Sequence, residues 1–237
     1  MKKILLVFWS LSVMWGFGCN VLQKMPTEQR EQKQQFETLQ VAVDNQAKRT
    51  EEKYRGMPVK DLFMELEHGA MKGREPFNSP AYREILKRKN VAEPLFKSIV
   101  DSSQKEYFKL MALKKLDAGL YAKIPARQGA AILTDALTKS ESFNAWGIPN
   151  HYWESSAKAI TEYGAEAVPY LEGLLDDNRP APVWGSEEAM IYEHYRFRVC
   201  DYALALLHKI KAMRNIQLPV TPDARDSLIQ SYRMRPQ

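Results

Sequence analysis

The fold is decided by the stretch that runs from Gly164 to Asp177, GAEAVPYLEGLLDD. Its apolar residues recur at helical spacing: Ala167, Val168, Leu171, Leu174 and Leu175. Pro169 is compatible with a helix, because a residue of the first turn needs no intrahelical acceptor for its N–H. A face this narrow cannot be buried by one helix alone. The stretch therefore predicts helices that stack in pairs.

Similar patterns occur along much of the chain and predict an all-α fold with little strand. Further helices are expected at 61–68, 90–102, 107–116, 153–163 and 198–210, and from Thr221-Pro222 onward. Asn90 and Glu93 fit the two ends of a capping box at the start of one helix. Gly119 and Gly164 are expected to end two others. No run of alternating β-branched residues is present.

The stretch 164–177 resembles the second helix of a bacterial HEAT-like repeat, through its Gly, Val-Pro and Leu-x-x-Leu-Leu features. Residues 90–102 echo it. The segments 107–116, 153–163 and 198–210 would be the partner first helices, and Ala112, Ala157 and Ala203 in them lie about 45 residues apart. The resemblance implies a HEAT-like α-solenoid of about three to four helix pairs over residues 57–237. It implies a binding or scaffold surface and no catalytic residue.

The N-terminus has the layout of a signal peptide. Lys2 and Lys3 form a short basic start, and the uncharged run from Ile4 to Phe17 is shorter than the roughly 20 apolar residues that span a bilayer. Gly16 and Gly18 are small residues in front of Cys19. Residues 1–18 are therefore predicted to be a cleaved signal peptide.

Gly18-Cys19 resembles the end of a bacterial lipobox. The resemblance implies that Cys19 is acylated, carries palmitate-like chains and becomes the mature N-terminus. It implies a lipoprotein anchored in the cell envelope, with its domain in the periplasm or at the cell surface. Asn20 after Cys19 points to the outer membrane rather than the inner one. Ordinary secretion after cleavage behind Gly18, or an uncleaved anchor, remains the alternative.

Residues 19–56 are predicted to form a polar tether, either flexible or helical. Its apolar residues are sparse, although Phe36, Leu39 and Val43 have the spacing of a narrow helix stripe. A long self-associating helix is the competing interpretation, which would need a longer apolar repeat.

Several functional classes are disfavoured by composition and motif content. A net charge of +5, spread along the chain, gives little indication of nucleic acid binding. Two cysteines exclude a disulfide scaffold, and Cys200 is expected to be a small buried residue. The four histidines lack metal-ligand spacing, and phosphate-loop and nucleophile motifs are not found. We expect no catalytic residue, no metal and no cofactor.

One group of residues carries a candidate binding patch. Two Trp-Gly loops each precede a helix that opens with aromatic residues, and stacked repeats would bring them to one edge. The patch consists of Trp146, His151, Tyr152, Trp184, His194 and Tyr195. Such rings are frequent in binding hot spots. The alternative is structural, with both indoles filling gaps between repeats.

The sequence thus predicts a non-catalytic envelope lipoprotein that binds a protein partner or acts as a scaffold. The alternative is a small-ligand or glycan binder, or an enzyme, that uses Trp146, His151, Trp184 and His194.

Overall fold

The computed structural model describes residues 27–70, 76–102, 106–211 and 216–234. The predicted signal peptide 1–18 and the predicted lipidation site Cys19 lie outside these ranges. The described residues are mostly helical, as expected for an all-α protein, and their named strands form one two-stranded sheet. Across the same ranges, no helix combines the length and apolar character needed to cross a bilayer. The chain divides into two units, residues 1–53 and 54–237.

Twelve α-helices occur in the described ranges. They are α1 Thr27–Arg55, α2 Val59–Ala70, α3 Pro80–Lys87, α4 Ala92–Asp101, α5 Tyr107–Leu116, α6 Ala118–Tyr121, α7 Ala126–Lys139, α8 Ser155–Glu162, α9 Val168–Glu172, α10 Ser186–Tyr195, α11 Val199–Ile210 and α12 Pro222–Arg233. Two 3-10 helices cover Pro76–Asn78 and Gly164–Ala167, and strands β1 Gly147–Ile148 and β2 Tyr152–Trp153 pair antiparallel.

Helix α1 accounts for the described part of the first unit. Its large apolar side chains are exposed: Phe36, Leu39, Val41 and Val43. Polar residues one turn apart pair along it, as where Gln40 Nε2 donates to Asp44 Oδ1 at 3.2 Å. Each such pair contributes only about 0.2–0.5 kcal/mol. From Thr27 to Arg55, the segment expected to be a polar tether, flexible or helical, forms one continuous helix.

The second unit begins with a small core between helices α2, α3, α4 and α5. Its buried residues are Leu62, Phe63, Leu66, Ala81, Tyr82, Ile85, Val91, Leu95 and Ala112. The Tyr82 hydroxyl donates to the Met111 carbonyl at 3.2 Å, so the one polar group of that ring is satisfied. Ser79 caps helix α3 by accepting from Tyr82 N at 3.1 Å.

Two predicted helix ends in this region are wrong. Helix α4 begins at Ala92 with Val91 as its N-cap and no side-chain cap, while Asn90 takes a left-handed φ of 59° in the preceding turn. Asparagine tolerates this conformation better than most residues, so it serves the turn instead of the cap. Helix α5 ends at Leu116 and not at Gly119, because Asp117 Oδ1 accepts from Leu120 N at 2.9 Å and starts α6.

A larger core occupies the rest of the unit, and its centre is α11. Nine of its residues from Val199 to Leu207 are buried, including Cys200 as expected. The main helix contacts follow chain order: α5 packs on α6 and α7, α7 on α8, and both α8 and α9 on α11. Helix α5 covers the predicted segment 107–116, although Gly119 is not its end, and α8 and α11 lie within their predicted segments.

The stretch 164–177 is less regular than predicted. It forms a 3-10 turn, Gly164–Ala167, and the short helix α9, after which the chain continues in turns. Of the five apolar residues in the predicted stripe, Ala167, Leu171 and Leu175 are buried, whereas Val168 and Leu174 are half-buried.

The C-terminal helix α12 is held by a buried arginine. Arg225 is fully buried, and its Nε lies 3.0 Å from the buried carboxylate of Asp201. Its other nitrogens donate to the carbonyls of Pro219, Val220 and Arg196. A buried charge needs this degree of pairing. Arg225 thus connects α12 to the start of α11.

Candidate binding surface

The structure separates the two tryptophans of the predicted patch. Trp146 is 1% exposed, and its ring stacks on Tyr107 with centroids 6.5 Å apart and planes 6° apart. Its Nε1 donates to Ser140 Oγ at 3.0 Å. Both the apolar face and the polar edge of this indole are therefore used inside the fold. Trp146 is part of the core and is not available to a ligand.

The β-hairpin that follows Trp146 is fixed by backbone geometry. Gly147 has φ of 83°, and a Cβ there would overlap the Tyr152 carbonyl. The buried Tyr202 hydroxyl donates to the Gly147 carbonyl at 2.8 Å, and Glu154 N donates to the Trp146 carbonyl at 3.1 Å. The hairpin is thus tied to helix α11, which gives Tyr152 and His151 defined positions.

Trp184, in contrast, is 60% exposed on a loop that is held in place. Asn144 Oδ1 accepts from Trp184 N at 2.8 Å, and Asn144 Nδ2 donates to the Trp184 carbonyl at 2.5 Å. Phe143, the residue before Asn144, donates its backbone N–H to the Pro182 carbonyl at 2.8 Å, two residues before Trp184. The indole is therefore exposed on an ordered backbone, which lowers the entropy lost when a partner covers it.

Glu188 links this loop to the hairpin. It stands three residues after the N-cap Gly185, and a Cβ at Gly185 would overlap Glu188 Oε2. Gly185 has φ of 136°, a backbone angle that favours glycine, whereas the overlap alone could be relieved by rotation of the Glu188 side chain. Burial, and then the carboxylates of Glu188 and Glu154, raise the pKa of the Tyr152 hydroxyl. Tyr152 thus lies beside Glu188 and remains 37% exposed.

His151, His194 and Tyr195 form one aromatic group. The Tyr195 ring meets His151 edge-on at 5.8 Å and His194 at 4.9 Å, and it stacks on buried Phe197 at 4.8 Å. Both imidazoles are exposed, whereas Tyr195 is half-buried. The structure therefore brings these three predicted residues together, on a base of Phe197 that sequence analysis did not identify.

Helix α10 provides an outer face that the sequence analysis missed. None of its ten residues is fully buried, and Met190 is 68% exposed. Glu187 lies one turn before Met190 and is also exposed. We define the α10 surface as Tyr152, Trp184, Glu187, Met190 and Glu193. The helix packs on the core through Ile191, Tyr192 and Tyr195, which are half-buried, whereas Glu187, Met190 and Glu193 remain exposed.

A groove lies between helices α2 and α4, and its lining shares no residue with the α10 surface. Its volume is about 510 Å³, and its apolar lining includes Phe63, Met64, Val91, Pro94 and Leu95. Lys60 and Glu67 stand on one side, with Glu106 and Lys109 on the other. Charges of both signs are thus balanced around it, so this groove shows no preference for a charged ligand.

Among the residues that the structure describes, no three side chains of His, Cys, Asp or Glu are grouped so as to hold a metal ion. Burial, followed by the charge of Asp201, raises the pKa of the Cys200 thiol to about 12. A thiol of this kind is protonated at neutral pH and unreactive.

Comparisons with known proteins do not add an assignment. No family of proteins matches the chain, no curated protein is similar to it, and no solved structure matches its fold.

Proposed function

We propose that this protein is a lipid-anchored protein of the bacterial envelope whose helical domain binds a partner protein and catalyses no reaction. In this proposal residues 1–18 are removed, Cys19 is acylated, and the domain acts in the periplasm or at the cell surface. The observation that carries it is the exposed Trp184 on a loop held by Asn144. An indole that is exposed and already ordered is a frequent anchor of protein interfaces.

The order of helix contacts supports a HEAT-like solenoid for this domain. Each main contact joins elements that are near in sequence, as expected when helix hairpins stack in register. Ala112, Ala157 and Ala203 are each completely buried, at positions about 45 residues apart. Small buried residues at a regular interval allow paired helices to approach closely.

A small-ligand, glycan or enzymatic site built from Trp146, His151, Trp184 and His194 receives less support. Trp146 is buried and hydrogen bonded to Ser140, so it contributes no surface. The remaining members are exposed, and the groove of about 510 Å³ lies elsewhere, between helices α2 and α4. An open surface of this kind suits a protein partner better than a small molecule.

The anchor is tested at the N-terminus. Mass analysis of the mature protein should find Cys19 as the first residue with acyl chains attached, and globomycin should cause the unprocessed chain to accumulate. Cys19→Ser should release the protein from the membrane fraction. A mature N-terminus without acyl groups would remove the anchor and leave the binding proposal standing.

The binding surface is tested by site-specific cross-linking in intact cells. A photoreactive residue in place of Met190 should give one discrete adduct, and Trp184→Ala should abolish it. Met64 supplies a matched control, because it is a methionine on another helix, at the α2–α4 groove, with 53% exposure. Adducts from position 64 and none from position 190 would place the partner in the groove and contradict the proposal.

A further inference from the structure

The charge of helix α10 is opposite to that of the whole chain. The helix contains Glu187, Glu188 and Glu193 and no lysine or arginine, whereas the chain has a net charge of +5. Glu193 is 69% exposed, and its ion pair with Arg196, 74% exposed, has a separation of 3.5 Å. Exposed pairs of this kind contribute about 0–1 kcal/mol and hold their partners loosely. The α10 surface is therefore locally acidic.

Two exposed apolar side chains stand on this helix or directly before it in the chain. Trp184 is 60% exposed and Met190 is 68% exposed. The face of an indole attracts cations, with a contribution of about 0.5–2 kcal/mol. In the part of the chain that the structure describes, the cation–π pairs use the rings of Tyr121, Tyr232 and Phe197, so the indole of Trp184 is available.

We propose, on the basis of the function proposed above, that the α10 surface binds a cationic segment of its partner protein. A lysine or arginine of that segment lies over the Trp184 indole. The glutamates of α10 supply the opposite charge, and an apolar side chain of the segment covers Met190.

The charge of the surface selects this occupant over others. Anionic lipid headgroups and nucleic acids carry the same sign as the α10 surface and are repelled by it. A neutral apolar partner would desolvate the carboxylate of Glu187 and supply no opposite charge to it. A cationic segment satisfies the indole and the carboxylates together.

The test uses the full-length protein and two labelled peptides. One is an amphipathic helix with a leucine face bordered by lysine, and the other has glutamate in place of each lysine. Fluorescence anisotropy should show binding of the lysine peptide alone, weakening when salt rises from about 50 to about 300 mM. Trp184→Ala, and separately the pair Glu187→Gln and Glu193→Gln, should each raise Kd about fivefold or more.

Glu93→Gln on helix α4 is the matched charge control. Glu93 is an exposed glutamate with a lysine partner, Lys97, at 3.9 Å, and its removal should leave Kd unchanged. Equal affinity for the two peptides, or an equal loss in the Glu93→Gln variant, would overturn the inference.

The two proposals fail in different ways. If Trp184→Ala abolishes the cellular adduct at position 190 but neutralising Glu187 and Glu193 does not, the surface is correct and the cationic partner is wrong. If the adduct survives Trp184→Ala, the proposed function itself is wrong. Circular dichroism of each variant should match that of the parent, since the substituted side chains are exposed.

Discussion

The side chain of Asn150 is paired with both backbone groups of Leu218. Asn150 Nδ2 donates to the Leu218 carbonyl at 2.9 Å, and Asn150 Oδ1 accepts from Leu218 N at 2.8 Å. The amide thereby takes the place of a neighbouring strand and ties the tip of the hairpin to the segment before α12. Asn144 does the same for Trp184. Two long-range pairs of this type therefore fix the loops around the candidate surface.

Replacing Asn150 with glycine should destabilise the fold by about 1–3 kcal/mol, because the buried backbone groups of Leu218 lose their partners. Replacing Asn150 with alanine should lower the free energy of unfolding by about 1 kcal/mol more than glycine does. The reason is that residue 150 has a left-handed φ of 71°, which glycine adopts easily and alanine does not. Urea unfolding measures both. An alanine variant as stable as the glycine variant would contradict the argument from the backbone angle.

Arg225→Met should destabilise the protein by about 3–5 kcal/mol. The substitution leaves the fully buried Asp201 carboxylate with Arg198 as its remaining ion-pair partner. Adding Asp201→Asn to Arg225→Met should recover part of the loss, because the uncompensated buried charge is removed. Arg83→Met, at an exposed residue of α3, should cost less than about 0.5 kcal/mol. A double variant less stable than expected from additive single losses would speak against charge burial as the cause.

Gly129→Ala should destabilise by about 1–3 kcal/mol despite the better helix propensity of alanine. Gly129 is buried in α7, and a Cβ there would overlap the ring of Tyr163. Gly69→Ala in α2 is the matched control, because nothing lies within 4 Å of its Cβ position. The Gly69→Ala variant should be more stable to unfolding than the parent by about 0.5–1 kcal/mol. Thermal unfolding of the two variants should shift in opposite directions, and shifts in the same direction would contradict the packing argument.

The raised pKa of Cys200 predicts a loss of stability at high pH. The folded pKa of about 12 lies above that of an unfolded cysteine, about 8.5. Protonated thiol is favoured by the fold, so this contribution is complete below about pH 8.5. It then falls by roughly 1.4 kcal/mol per pH unit as pH rises toward the folded pKa.

The measurement compares Cys19→Ser with Cys19→Ser/Cys200→Ala between about pH 8 and pH 10. The first protein should lose stability more steeply, because its single thiol ionises only on unfolding. Absolute stabilities will differ through the lost packing, so the slopes are compared. Parallel slopes would show that Cys200 ionises as easily in the folded protein as in the unfolded one.

Helix positions were largely predictable, because periodicity and capping act over a few residues. Helix α5 covers the predicted segment 107–116, and α12 begins at Pro222, where a helix was expected from Thr221-Pro222 onward. The errors occur where a local signal competes with a turn, as at Asn90 and Gly119. The hairpin between Gly147 and Trp153 was not predicted, because its strands are two residues each and depend on Tyr202 and Asn150 for partners.

The aromatic patch could be predicted only in part. The residues His151, His194 and Tyr195 do come together, but their base Phe197 and the exposed face of α10 have no distinctive local pattern. Met190 and Glu187 are binding candidates because their side chains are exposed. Exposure is a property of the assembled surface and cannot be predicted from the spacing of residues along the chain.

The two Trp-Gly sites show where local information ends. Sequence alone was sufficient to establish a helical protein and two loops of the same local type, since these depend on near neighbours. It could not distinguish Trp146 from Trp184. Packing makes that distinction, because Tyr107 and Ser140 cover the first indole whereas Asn144 binds only the backbone of the second and leaves its ring exposed. The partners of each ring come from distant parts of the chain, so burial is a long-range outcome.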